Sequence, residues 1–439
     1  MADRLFGTDG VRGVANRDLT PDLAMALGRA AAESLPVGPV LVGRDTRRSG
    51  PMLSSAFQAG VHSVGVDTVD VGVFPSGGIA RLVASSGAEM GAVVTASHNP
   101  APDNGIKLLD RHGFKLDDAA EDAIAARLAG GAPWRAPVGH EVGTAMPDAT
   151  AESRYLDLLA NGYPYALKGI RLTLDCANGA AYRTAPALFE RLGADMSAIG
   201  VTPDGTNINE GCGATDPKAL ARAAVGSIGL AFDGDADRLI AVDEGGAVVD
   251  GDVIMAVIAR HLHQQGRLAR DTVVATVMSN LGFRKAMTAL GITVAETKVG
   301  DRYVLAAMRQ LGATVGGEQS GHVIFLDTAP AGDGLLTALR LMEVVAATGQ
   351  PLTELRTVMT SYPQVLRNVR VADRSGLADA RLVWDEVAAV EARLGDEGRV
   401  LVRASGTEAL VRVMVEAPDT DTANEVAGRI ADLVRAELG

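Results

Sequence analysis

One arrangement recurs three times along the chain and narrows the available folds more than any other feature. A β-branched run ends in a small polar loop, a helical pattern follows, and a Gly-containing turn leads into a second apolar run. The first copy covers residues 40–45, a helix near 51–63 and the run Val64-Gly65-Val66. The second covers 170–175, a helix near 181–192 and Gly193-Ala194-Asp195. The third covers 273–277, a helix near 282–290 and Gly291-Ile292-Thr293-Val294. Strand–loop–helix–strand units of this length predict mixed or parallel sheets with helices on their faces. Three copies at wide spacing predict three similar α/β domains, and 439 residues are too many for one core.

The last part reads differently. Residues 399–404 and 410–416 alternate apolar and polar, joined by Ser405-Gly406-Thr407-Glu408-Ala409. A helix capped at Asp421 or Thr422 then runs to the C-terminus. This pattern predicts a smaller, antiparallel α+β domain. Gly, Pro and charge interrupt the pattern near 139–151, 243–251 and 362–368. The expected domains are therefore 1–148, 149–248, 249–364 and 365–439.

Composition excludes several partners. A formal net charge of −13 repels nucleic acid and anionic membranes overall. No uninterrupted apolar stretch approaches the ~18 residues of a membrane span, and the N-terminus lacks a signal-peptide core. Cys176 and Cys212 have neither CxxC nor zinc spacing and read as free thiols, so a cytoplasmic setting is expected.

Two segments carry chemistry on their own terms. Thr95-Ala96-Ser97-His98-Asn99-Pro100 follows a buried-strand pattern at 91–94, which delivers Ser97 to the carboxyl end of a strand, where open α/β sheets bind ligands. His98 and Lys107 stand close enough in sequence to assist proton transfer or offset phosphate charge. Asp233-Gly234-Asp235-Ala236-Asp237-Arg238 lies between two strand-like runs, and its alternate carboxylates can point to one side. Three adjacent carboxylates repel one another unless a cation lies between them. A calcium EF-hand is excluded despite Glu244 at its twelfth position, because Arg238 stands where that loop needs Gly and the flanks are strands. Oxygen-only donors beside a phosphate favour Mg²⁺ over Zn²⁺. Together, a loop serine and a cation site point to phosphoryl transfer through a phosphoserine.

Two further turns are weaker alone. Glu318 and Ser320, on the Gly-flanked turn 316–322 that ends in His322, suit the hydroxyls of a sugar ring. Arg403, Ser405, Gly406 and Thr407, with Arg412 on the next strand, form a phosphate cradle on paper.

In this order, and with the Gly-rich stretch 6–13 that carries Arg12, these segments resemble the α-D-phosphohexomutase superfamily. The resemblance runs from residue 6 to Arg412, and Gln319 in the sugar loop resembles its amino-sugar branch. It implies three α/β domains and a smaller fourth around a central cleft. It also implies reversible isomerisation of glucosamine 6-phosphate and glucosamine 1-phosphate, feeding amino-sugar nucleotide and cell-wall synthesis. Ser97 would be the phosphoserine and, with Asp233, Asp235 and Asp237, would hold Mg²⁺. Arg12, His98, Lys107 and Arg238 would line the reaction centre. Glu318, Ser320 and His322 would face the sugar, and the 403–412 turn the non-reacting phosphate. A hexosamine 1,6-bisphosphate would serve as primer and intermediate. Priming by a kinase or by self-phosphorylation is left open, as is a homodimer. Glucose or mannose phosphates as substrates, a non-catalytic sugar-phosphate sensor and a phosphatase are the competing readings. Two positions depart from the family: Ala236 stands where Gly is usual, and Ala409 where Pro is usual.

Overall fold

The β-branched runs form strands and the periodic stretches between them form helices, assembled into four sheets. The computed structural model describes residues 5–7, 9–34, 36, 38–161, 163–405 and 409–439. The first sheet orders Val11–Val14, Asp103–Asp110, Met90–Val94, Val40–Arg44, Thr68–Val73 and Ala145–Pro147. Its middle strands are parallel, whereas Asp103–Asp110 runs antiparallel to both of its neighbours. The second sheet has Arg171–Asp175 parallel to Asp195–Ile199 and Ile228–Phe232, with Leu239–Val242 returning antiparallel. The third repeats the plan: Thr272–Thr276 is parallel to Thr293–Thr297 and Val315–Gly317, and Val323–Phe325 returns antiparallel. The fourth sheet, Gln364–Arg370, Leu410–Glu416 and Arg399–Ala404, is wholly antiparallel.

This common plan sets the chemistry. Parallel strands need a helix to return, whereas an antiparallel pair can be joined by a tight turn. In each sheet one antiparallel pair ends in such a turn. Those turns carry Ser97, Asp233–Asp237, Glu318–His322 and Ser405 respectively.

Two expectations are corrected. Val64-Gly65-Val66 is a buried turn rather than a strand, because Gly65 has φ +83°, and the strand begins at Thr68. The last helix, Thr420–Leu438, is capped by Asp419, whose carboxylate accepts from Thr422 N; Asp421 and Thr422 lie inside its first turn.

The chain divides into two compact units. One contains residues 1–277 and 292–357; the other contains 278–291 and 358–439. In the larger unit, the helices Pro21–Ser34 and Gly50–Ser63 bury Leu27, Leu53, Phe57 and Val61 against the first sheet. In the smaller, Val369, Val411, Val413, Val415, Val426 and Ile430 form the core. Among the described residues no helix is long and apolar enough to cross a membrane.

Candidate active site

Ser97 lies just beyond Met90–Val94 in a buried left-handed turn, at φ +50°. Serine seldom adopts that region, at a cost of roughly 1–2 kcal/mol. Its Oγ donates to Asp233 Oδ2 at 2.7 Å and lies 3.3 Å from His98 Nδ1. The turns that end the first and second sheets therefore meet at this hydroxyl.

Asp233, Asp235 and Asp237 are all buried, and each offers an oxygen within 4.8 Å of the others. Asp235 Oδ1 and Asp237 Oδ1 have no hydrogen-bond partner. Burial first, and the charges of Asp237 and Asp235 second, push the Asp233 carboxyl up to about 8. Orphaned buried carboxylate oxygens beside a carboxyl that resists ionisation are what a hard divalent cation would satisfy, so the donor set fits such an ion.

Backbone groups fix the acidic turn. Ala236 takes φ +59°, the conformation in which Gly would be free of strain. Asp235 O accepts from Ser76 N at 2.9 Å, and Ala236 O accepts from Gly334 N at 2.9 Å, each at the first residue of a helix. The approach at 334 is close: a Cβ there would stand 2.5 Å from Arg238 O.

Lys107 is buried with Nζ 2.9 Å from Asp235 Oδ2, 3.3 Å from Asp9 Oδ2 and 3.6 Å from Asp237 Oδ2. Burial alone would lower its pKa, but Asp235, Asp9 and Asp237 outweigh burial and raise it. In this arrangement Lys107 is a fixed cation rather than a base. His98 behaves oppositely: desolvation of the ring's inward side, then Arg238 and Arg12, lower it to about 4. Because the imidazole edge is solvent-exposed, water screens part of that push. His98 is therefore neutral near pH 7. Arg12 pairs with Asp9 and reaches Ala96 O at 3.5 Å. Arg238 Nε lies 3.8 Å from Asp237 Oδ1, and its main-chain N donates to Asp233 Oδ1 at 3.2 Å.

The third sheet's turn splits its residues between two tasks. Glu318 Oε1 accepts from Gly300 N at 2.9 Å, and the exposed Ser320 Oγ donates to Glu318 Oε2 at 3.4 Å. The resemblance places His322 with the sugar-facing side chains, yet its ring is buried 3.5 Å from Asp237 and 3.8 Å from Asp301. Burial opposes its charge, but Asp237 and Asp301 prevail and raise it to about 9. His322 therefore ties the sugar turn to the acidic turn. Gln319 reaches Asp250 Oδ2 at 3.2 Å, beside the N-terminus of helix Gly251–Gln264.

In the smaller unit, Arg403 and Arg412 stand directly opposite each other on paired strands. Like charges in register are unfavourable across a sheet, so this pair is suited to a bound anion. Burial, then Arg412, lower the Arg403 pKa. Ser405 is buried, and its carbonyl accepts from Arg374 Nη1 at 2.6 Å. Gly406 and Thr407 lie outside the described residues.

Sequence reasoning missed Asp9, Arg47, Lys115 and Asp301. Lys115 pairs with Asp9, and with Asp301 at 2.6 Å. Asp9, Lys115 and Asp301, with Lys107, His322 and Asp237, close a ring of alternating charge beside Asp235, whereas Arg47 pairs with Asp45. No motif spacing links residues so far apart; only the common plan of the sheets brings them together.

Comparison with known proteins gives matches along nearly the whole chain. Four models of one family match in order: phosphoglucomutase/phosphomannomutase alpha/beta/alpha domain I at 3–132, domain II at 153–246, domain III at 250–362, and the C-terminal domain at 366–433. A phosphoglucosamine mutase of Saccharopolyspora erythraea is 54% identical, covering 99% of each chain. Those of Thermobifida fusca and Oceanobacillus iheyensis are 51% and 48% identical, each again covering 99% of both chains. Among solved structures, a phosphoglucomutase/phosphomannomutase family protein of Burkholderia thailandensis superposes with a TM-score of 0.80 at 25% identity, covering 100% of this chain and 98% of its own. An N-acetylphosphoglucosamine mutase of Aspergillus fumigatus, solved with GlcNAc-6P and magnesium, gives 0.72 at 21% identity, covering 99% and 96%.

Proposed function

Since the chain belongs to the phosphoglucomutase/phosphomannomutase family, we propose that it interconverts glucosamine 6-phosphate and glucosamine 1-phosphate through a phosphoserine at Ser97. The observation that carries this reading is the buried Ser97 hydroxyl held 2.7 Å from Asp233, at the edge of three carboxylates. The three full-length relatives at 48–54% identity, each a phosphoglucosamine mutase by name, support the amino-sugar substrate.

In the reaction, the P–O bond to Ser97 Oγ breaks as the free sugar hydroxyl bonds to phosphorus, giving a 1,6-bisphosphate. The sugar hydroxyl's proton leaves to a base and the departing Ser97 Oγ takes one up; His98, with Nδ1 3.3 Å from Oγ, is placed to exchange the one for the other. The bisphosphate turns over, its other phosphate returns to Ser97, and the isomerised monophosphate departs. Asp233, Asp235 and Asp237 would hold Mg²⁺, which when bound withdraws charge from the phosphoryl group. Lys107, Arg12 and Arg238 supply fixed positive charge around the same centre. Glu318 and Ser320 receive the sugar hydroxyls, and Arg403 and Arg412, with Ser405, the phosphate that is not reacting. A donor and a separate phosphate cradle are what a mutase needs; a phosphatase needs only the first.

The test compares kcat/KM for glucosamine, glucose and mannose phosphates, with Mg²⁺ and a trace of glucose 1,6-bisphosphate. The amino sugar is expected to lead and EDTA to abolish turnover. Preference for glucose 1-phosphate would move the substrate, and net release of inorganic phosphate would replace the mutase by a phosphatase.

A further inference from the structure

The phosphoryl-transfer chemistry above makes no use of Arg47, on the loop after Val40–Arg44, although its side chain is fully buried. A guanidinium has five N–H donors in a rigid fork. Here each nitrogen is engaged. Nε donates to Asp45 Oδ2 at 2.9 Å. Nη2 donates to Ser97 O at 2.9 Å and Asn99 O at 2.8 Å. Nη1 donates to Pro100 O at 2.5 Å and Asp103 O at 3.0 Å. Four of its five partners are therefore main-chain carbonyls, three in the turn that carries Ser97 and one, of Asp103, where the next strand begins.

Other groups grip the same peptide. Thr95 Oγ1 accepts from Ser97 N at 2.8 Å and donates to Asp45 Oδ2 at 2.7 Å. Asn209 Nδ2 donates to Ser97 O at 2.9 Å. Ser97 is thus held at both its N–H and its C=O while at φ +50°. A left-handed serine persists only where its surroundings over-determine it, and such strain is a feature of working sites.

We propose that Arg47, backed by Thr95 and Asn209, is a positioning residue for phosphoryl transfer. By gathering the carbonyls of 97, 99, 100 and 103, it keeps Ser97 in the left-handed turn that aims Oγ at the acidic loop. This inference rests on the phosphoserine reading. Lysine cannot replace the fork, because a single ammonium cannot span four carbonyls and a carboxylate.

The experiment uses Arg47→Lys, Thr95→Val and the unaltered protein, with radiolabelled glucose 1,6-bisphosphate as the phosphoryl donor. Single-turnover transfer of label to Ser97 is followed beside the thermal midpoint and the KM for sugar monophosphate. Transfer in both variants is expected to slow by about 10- to 100-fold, the scale of a misplacement near 1 Å, with KM changed less than about threefold. Should Arg47→Lys fail to fold, Thr95→Val and Asn209→Ala carry the same expectation. Folded variants that transfer label at the unaltered rate, with only the labelled fraction reduced, would make Arg47 merely structural and overturn the proposal. No label on Ser97 of the unaltered protein would overturn the phosphoserine reading itself, and this inference with it.

Discussion

Ala236 shows at the scale of one residue how opposing effects of similar size are weighed. Its left-handed backbone stores about 1 kcal/mol, which Gly would release. Gly would also lose a buried methyl worth about 0.8 kcal/mol and add about 0.4–1 kcal/mol of unfolded-chain entropy. Ala236→Gly is therefore expected to change stability by less than about 1 kcal/mol and to keep full activity, whereas Ala236→Val should cost about 2–3 kcal/mol. Urea melts of both variants check this. The charges of the site give a second expectation. Asp233 rises from its ordinary 3.8 to about 8, and His322 from 6.5 to about 9. For both groups the fold holds a proton that the unfolded chain has released. Stability without metal should thus be highest below about pH 4 for the one and 6.5 for the other, and fall as pH rises through 8 and 9. Thermal midpoints in EDTA from pH 5 to 9 measure it. Added Mg²⁺ must displace the Asp233 proton, so its stabilisation should grow between pH 6 and 8; a flat response would contradict the assigned donor set. The aspartates were legible in the sequence because alternation puts them on one side of a turn. The opposite shifts of Asp233 and Asp237 were not, since these depend on partners as far apart in sequence as Ser97, Lys107 and His322.

Elements decide where those side chains meet. The reading of alternating runs at 399–404 and 410–416 matches the strands observed, because polar–apolar alternation is a local property. That the first three sheets close with an antiparallel turn, as the fourth was expected to, was not legible, since strand direction is set by pairing across the sheet. The N-terminus of helix Gly334–Thr348 illustrates the consequence. Asp333 Oδ1 accepts from Leu335 N, Leu336 N and the Tyr155 hydroxyl, while Gly334 N supports Ala236 O. Asp333→Ala would leave the cap and a buried hydroxyl without their acceptor, at about 2–4 kcal/mol. Its denaturation midpoint should fall and its Mg²⁺-induced stabilisation should shrink, while Asp333→Asn, which keeps an acceptor, should fall less. Equal losses in the two variants would count against the cap. Glu244, twelfth from Asp233, instead accepts from Leu352 N and Thr353 N, which places it at the start of Leu352–Leu355 and away from the acidic turn.

Over the whole molecule, one chain supplies two compact units, each drawn from two segments that are separate in sequence. Helix Leu281–Ala289 belongs to the C-terminal unit although its flanking strands lie in the third sheet. Sequence order assigns that helix to its own α/β repeat; among the ties that draw it away are the paired bonds of Asn280 with Tyr362 and one fully buried carboxylate, Glu416. Glu416 accepts from Leu281 N at 3.0 Å, Gln364 Nε2 at 2.9 Å and Arg399 Nε at 2.6 Å. Glu416→Leu removes the carboxylate partner of a half-buried guanidinium and the acceptor for Leu281 N, and is expected to cost the C-terminal unit about 2–4 kcal/mol and speed amide exchange across 281–289. Unchanged exchange there would contradict that tie. The proposed catalytic cycle, finally, asks one hydroxyl to carry every phosphoryl group that passes through the protein. Turnover of glucosamine 6-phosphate by Ser97→Ala, measured beside its thermal midpoint, tests this most directly. The expected result is a folded protein with at least about a thousandfold loss of mutase rate, the scale of removing a covalent nucleophile. Near-normal turnover in the same variant would contradict the phosphoserine mechanism.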